Sequence, residues 1–164
     1  MIKTLSSLII LVGGACAAQP FSEWGESGDW VVRVDEASGN GCFMQRSFDS
    51  GTMVRIGYVP NEEGAFMSAF NPGWTQIEAD DKGSVIFDFG DSRFQGAVVG
   101  VIEDDVPGGY AFFNNPEFAS EFGRRHSVTI IGEKGGQEEL DLAGSSAGLT
   151  KLKECQGAQE KPAD

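Results

Sequence analysis

Short apolar segments, often alternating with polar residues, recur along this chain between clusters of Gly, Asp, Asn and Ser. Alternation with a period of two places every second side chain on one face of a strand, and such clusters favour tight turns. The pattern predicts eight or nine antiparallel strands, with a turn at Asp49-Ser50-Gly51. The candidate strands are residues 30–35, 42–48, 52–59, 65–70, 84–89, 94–103, 109–113, 127–132 and 138–142.

The segment 94–103 is apolar at both alternating sets of positions. In a strand, Phe94 and Val98 would lie on one face, and Val99 and Val101 on the other. Strands that are apolar on both faces are typical of the interior of a sheet. We therefore expect this segment to be a central strand.

A short helix is predicted at residues 116–123. Asn115 is a favourable cap, and Pro116 suits the first helical position because it lacks the N–H group that would be unpaired there. Phe118 and Phe122 are four residues apart and would share one face, and Gly123 would end the helix.

A second helix is predicted at residues 147–156, after a serine cap. Leu149, Leu152 and Cys155 would lie on its inner face. In an exported chain, an even pair of cysteines more often forms a disulfide than a metal site or a nucleophile, so we predict that Cys42 bonds to Cys155. The predicted fold class is one mostly β domain, an antiparallel sandwich or partly open barrel, with a short helix and a disulfide-stapled C-terminal helix.

The first eighteen residues have the pattern of a secretory signal peptide. Lys3 precedes the apolar run 5–12, and small residues follow up to Ala18. Cleavage near Ala18 predicts a periplasmic or secreted protein without a transmembrane segment, because the apolar run is too short to span a bilayer. Lipid attachment at Cys16 is the alternative, but Gly13 stands where a bacterial lipobox has Leu.

The rest of the chain divides into a predicted flexible linker at 19–29, a single β-rich domain at 30–156 and a disordered tail at 157–164. The formal net charge is -13. This acidity disfavours binding to nucleic acid and to anionic membranes, whereas a cationic partner would be tolerated.

Residues 144–148 match the G-x-S-x-G pattern of serine hydrolases, with Ser146 in the nucleophile position. In that class the histidine follows the serine, whereas the single histidine of this chain, His126, precedes it. A serine that caps a helix accounts for the same residues without a catalytic role. We therefore predict no catalytic residues and no enzyme activity.

Acidic and aromatic residues offer two further candidate sites. The acids at 80–81 and 103–105 could bind calcium, but they lack the spacing of a calcium loop and are interpreted as turn residues. Trp24, Trp30 and Trp74 could stack on a carbohydrate, but Trp30 opens a strand and is predicted to lie in the core. No cofactor-binding or metal-ligating residues are predicted.

Several short motifs are scattered along the chain. They are Asp29-Trp30, Cys42, Phe70-Asn71-Pro72-Gly73-Trp74, and Leu142-Ala143-Gly144-Ser145 leading to Cys155. Together with the signal-like N-terminus, these motifs resemble small secreted or periplasmic proteins of Gram-negative bacteria and, more distantly, the invasion-associated locus B family. The resemblance implies an envelope or host-interaction role without catalysis.

The function predicted from the sequence is that of an exported, non-enzymatic binding or cell-envelope protein. Its partner would be an unidentified protein or envelope component. Two alternatives remain, namely a serine hydrolase that uses Ser146, and an inhibitor or chaperone-like module for an exported enzyme.

Overall fold

A computed structural model describes residues 21–134 and 136–159 of the chain. The predicted signal peptide, Cys16 and residues 160–164 lie outside the described residues. The described elements are β1 (Ser22–Ser27), β2 (Trp30–Asp35), β3 (Gly41–Ser47), β4 (Met53–Gly57), β5 (Ala65–Phe70), β6 (Lys82–Asp88), β7 (Arg93–Glu103), β8 (Val106–Phe113), α1 (Glu117–Arg124), β9 (Ser127–Gly132), β10 (Gly136–Asp141) and α2 (Ser145–Gln159).

The strands form a single 10-stranded antiparallel sheet in the order β1-β2-β3-β4-β5-β8-β7-β6-β9-β10. The sheet is open but curls, so that β10 lies against the turn between β3 and β4. There the hydroxyl of Thr52 donates to the carboxylate of Glu138 over 2.6 Å, and Arg46 Nη1 donates to the carbonyl of Asp141 over 3.1 Å. The predicted antiparallel β fold with a C-terminal helix is confirmed.

All nine predicted strands are present, and β2, β5 and β9 have the predicted bounds. The prediction missed β1, because Ser22–Ser27 fell in the expected linker. β1 is an edge strand whose residues are mostly exposed. It therefore carries little of the apolar alternation that marks a half-buried strand.

The central position predicted for β7 is confirmed, because β7 pairs with β8 on one side and β6 on the other. Burial on both of its faces is not observed. Val99 is 37% exposed and Ile102 is 45% exposed. These two positions are an odd number of residues apart on a regular strand, so each face of β7 carries an exposed apolar side chain.

One hydrophobic core lies between the inner face of the sheet and the two helices. α1 packs Phe118 and Phe122, both fully buried, onto the sheet. The stacked rings of Phe118 and Phe113 have centroids 4.4 Å apart. α1 begins one residue later than predicted, with Pro116 at the N-cap position, and it runs one residue past Gly123 to Arg124. Asn115 Oδ1 accepts a hydrogen bond from the backbone N–H of Glu117 just before the helix.

α2 extends beyond the predicted bounds at both ends, so that residues 157–159 of the expected disordered tail are helical. The predicted disulfide between Cys42 and Cys155 is present and joins β3 to α2. Gln156 Oε1 accepts a hydrogen bond from the backbone N–H of Cys42 over 2.8 Å, and the buried Ser145 hydroxyl donates to the carbonyl of Phe122 over 3.0 Å. The last helix is therefore held by one covalent bond and by buried hydrogen bonds.

Neither of the two helices in the described part of the chain combines the length and apolarity that a membrane span requires.

Candidate functional site

Side chains fill the interior of the curled sheet unevenly. Near α1 the space is packed by clustered phenylalanine rings, including Phe87, Phe113 and Phe118. Farther along the same strands the interior is bordered by small residues, which leave a cavity of about 90 Å³, here called the inner pocket. The small residues that line it include Ala69, Gly83, Gly100, Gly109 and Ala111.

Sheet register brings the small residues of the inner pocket together. Gly100 of β7 is the direct partner of Gly109 on β8. A Cβ at Gly100 would lie 2.1 Å from the carbonyl oxygen of Glu78. Because no side chain is there, the loop between β5 and β6 packs onto β7, where the backbone N–H of Gly100 donates to the carbonyl of Asp81 over 2.7 Å. This loop brings Trp74 to the wall of the pocket.

An ion pair joins two loops beside the inner pocket. Lys134 Nζ donates to Asp81 Oδ2 over 2.8 Å and connects the β9–β10 turn to the loop before β6. The hydrogen bond from Lys134 lowers the pKa of Asp81, and a bond from the backbone N–H of Glu78 adds to this effect. The same ion pair raises the pKa of Lys134. Both groups are therefore charged at neutral pH and hold the two loops together.

A hydrogen-bonded group of polar side chains borders the inner pocket at β10. The fully buried Thr52 donates to Glu138 and accepts a hydrogen bond from Asn71 Nδ2 over 2.7 Å. Ser50 also donates to Glu138, over 2.5 Å. Glu138 itself lines the pocket. Its carboxylate is thus fixed by hydroxyl donors and stabilises the approach of β10 to the β3–β4 turn.

A second concavity of about 410 Å³, here called the outer groove, lies on the opposite face of the sheet. Arg55 forms its floor and is 8% exposed. The guanidinium donates to both carboxylate oxygens of Glu103, over 2.6 and 2.5 Å, and to Gln45 Oε1 over 2.8 Å. The rings of three phenylalanines have centroids 4.9 to 5.4 Å from Arg55 Cζ; they are Phe21, Phe43 and Phe70.

Both tyrosines of the chain, Tyr58 and Tyr110, line the outer groove. Burial raises the pKa of each phenol, and the negative charge of Glu62 raises the pKa of Tyr110 further. Tyr110 stacks on Phe66 with ring centroids 5.3 Å apart. The groove therefore combines aromatic rings with one internally neutralised ion pair.

The residues of the G-x-S-x-G match occupy the start of α2. Ser146 is exposed in the first turn, whereas its neighbour Ser145 is buried. His126 is exposed just before β9. No hydrogen bond among the described residues joins the side chains of His126 and Ser146.

The acidic residues and tryptophans considered as candidate sites have different surroundings in the structure. Glu103 pairs with Arg55, and Asp104 and Asp105 form the β7–β8 turn with positive φ angles of 48° and 65°. Across residues 21–134 and 136–159, no cluster of three or more His, Cys, Asp or Glu is placed to hold a metal ion. Trp30 is fully buried, which confirms its predicted place in the core.

Comparison with protein-family models, curated proteins and solved structures found no match to this chain. The resemblance to the invasion-associated locus B family therefore stays a prediction. Neither concavity was predicted from the sequence, although Gly108-Gly109 and Ala111 within one strand are a signal that small residues adjoin there.

Proposed function

We propose that this chain is an exported, non-enzymatic binding protein that holds a small apolar group in the inner pocket. The observation that carries the proposal is a cavity inside the sheet bordered by apolar side chains, with charged side chains at its margin. Concave, mostly apolar cavities with a few placed polar groups are the usual form of small-molecule sites.

The size of the inner pocket limits its ligand. A cavity of about 150 Å³ lined by apolar side chains stays dry and accepts benzene. The inner pocket, at about 90 Å³, is smaller. It suits the end of an alkyl chain or part of one aromatic ring, with any polar part of the ligand left near Asp81 and Lys134.

Export is supported by the disulfide between Cys42 and Cys155. Such bonds persist in oxidising compartments such as the periplasm and are rare where thiols are kept reduced. A binding role also agrees with the acidity of the chain, because neutral apolar ligands are indifferent to its net charge.

The methionine methyl groups provide a direct test. Met67 is 1% exposed and lines the inner pocket, whereas Met44 and Met53 do not line it. With ¹³C-labelled methionine methyls, titration with toluene and with hexanol should shift the Met67 resonance saturably. The resonances of Met44 and Met53 should stay in place.

Two variants that fill the inner pocket and one control variant complete the test. Ala69→Leu adds a side chain within the pocket and should abolish the shift of Met67. Gly83→Val serves if Ala69→Leu does not fold, since the nearest atom to a Cβ at Gly83 is a flexible carboxylate oxygen at 3.3 Å. Ala97→Leu, on the exposed face of β7, should bind like the unmodified protein. Absence of a Met67 shift, or its persistence in a folded filled variant, would refute the proposal.

A further inference from the structure

The outer groove lies on a face of the sheet that would ordinarily be polar. Antiparallel strands with one face on the core usually present polar residues to water on the other. Here outward positions of neighbouring strands carry Phe66, Tyr110 and Val101, and these apolar side chains line the groove. The adjoining Val99 is 37% exposed. Contiguous exposed apolar surface of this kind marks interaction sites.

The charges around the outer groove are unbalanced. Among the described residues that line it, Arg55 is the only cation, and its charge is neutralised by the bidentate bond to Glu103. Asp35 also lines the groove, and its carboxylate accepts hydrogen bonds from the backbone N–H groups of Ala37 and Ser38 and from the Ser38 hydroxyl. Asp104 and Asp105 follow in the adjoining turn. The border of the groove is therefore acidic.

This charge selects among the possible occupants. A second copy of the chain would bring the same acidic border against the first, within a molecule of net charge -13. Like charges placed together across an interface are strongly unfavourable. A basic segment, in contrast, meets acidic side chains and the faces of aromatic rings, both of which attract cations.

We propose that the outer groove docks an extended segment of a partner protein in which Lys or Arg alternates with an apolar residue. The apolar side chains lie against Phe66, Tyr110 and Val101, and the cations reach the acidic border. This surface is distinct from the inner pocket, because alternate residues of the same strands point to opposite faces of the sheet.

The two tyrosines make the outer groove directly observable. Protein labelled with 3-fluorotyrosine carries reporters only at Tyr58 and Tyr110, both within the groove. The probes are an eight-residue peptide of alternating Lys and Val, and a Glu and Val peptide of the same length. The Lys and Val peptide should shift both ¹⁹F resonances saturably, and the Glu and Val peptide should leave them unchanged.

Two charge-reversal variants distinguish the effect of a charge at the outer groove from the effect of the net charge of the protein. Glu62→Lys alters the acid whose charge acts on Tyr110. Glu154→Lys changes the net charge by the same amount on the exposed surface of α2. Exposed charge pairs contribute little individually, so we expect Glu62→Lys to weaken peptide binding about threefold to tenfold and Glu154→Lys to change it less than twofold. Val99→Ser, which truncates an exposed side chain paired with Tyr110 across the strands, should weaken binding without loss of fold.

Three results would overturn the proposal. The first is equal binding of the Lys and Val and the Glu and Val peptides. The second is no tyrosine shift at millimolar Lys and Val peptide. The third is a dependence of the ¹⁹F resonances on protein concentration alone, which would show that a second copy covers the groove.

Discussion

Removal of the Cys42–Cys155 disulfide tests how the C-terminal helix contributes to stability. The bond connects residues separated by 113 positions and joins β3 to α2. Without it, α2 keeps its buried leucines and the hydrogen bond from the Cys42 backbone N–H to Gln156. We therefore expect Cys42→Ala/Cys155→Ala to fold into the same structure with a much smaller free energy of unfolding.

The expected loss follows from the length of the loop that the bond closes. In the chain-entropy model, a loop of this length restricts the unfolded chain by about 4.8 kcal/mol. Typical stabilities are about 5 to 15 kcal/mol, so the variant would lose a large part of its total. With a urea dependence of about 2 kcal/mol per molar, the midpoint should fall by about 2 M.

Urea unfolding followed by circular dichroism measures this change. Unmodified protein unfolded in the presence of a reducing agent is the control, because it breaks the bond while it keeps both sulfur atoms. The double variant and the reduced protein should agree. A fall of less than about 1 kcal/mol in both samples would contradict the chain-entropy reasoning and would mean that the denatured chain is already restricted.

Two other predictions concern a buried carboxylate and two helical glycines. Hydrogen bonds from Arg125 and then from Ser92 lower the pKa of Glu121 below its ordinary value of 4.5. The ionised carboxylate therefore stabilises the fold above pH 4.5, and this stabilisation is lost as pH falls through the lower pKa of the folded state. Glu121→Gln should therefore reduce the fall in the free energy of unfolding at acidic pH. An unchanged fall would contradict this. In α2, a Cβ at Gly148 would lie 2.9 Å from a core methionine sulfur, whereas one at Gly157 would meet nothing within 4 Å. Thermal unfolding should show Gly148→Ala destabilised by about 1–3 kcal/mol and Gly157→Ala stabilised by about 0.5–1 kcal/mol, and equal effects would contradict the packing.

The sequence pattern predicted the bounds of strands whose residues alternate regularly in burial. β2 alternates buried and partly buried residues along its full length, so its bounds could be read from the sequence. β1 could not, because its edge position leaves most of its residues exposed. The disulfide was predictable because, with Cys16 assigned to the predicted signal peptide, the two other cysteines offer one pairing.

The two concavities depend on register, which the sequence pattern does not contain. Gly100 and Gly109 are ordinary strand residues until the pairing of β7 with β8 places them side by side. Likewise, Arg55 and Glu103 are 48 positions apart and meet only because β4, β5, β8 and β7 are neighbours in that order. A glycine or an arginine in a strand therefore indicates a site only after the strand order is known.

The apolar outer face of β7 and β8 has two possible explanations, and their consequences differ. If it served only to stabilise the sheet, truncation of Val99, which is 37% exposed, would lower stability slightly and leave peptide binding unchanged. If it is a docking surface, the same truncation should leave folding intact and weaken the peptide. The inner pocket gives no information on this choice, because Met67 and its neighbour Phe66 point to opposite faces of β5. A binding role for the pocket and a partner for the groove can therefore be accepted or rejected separately.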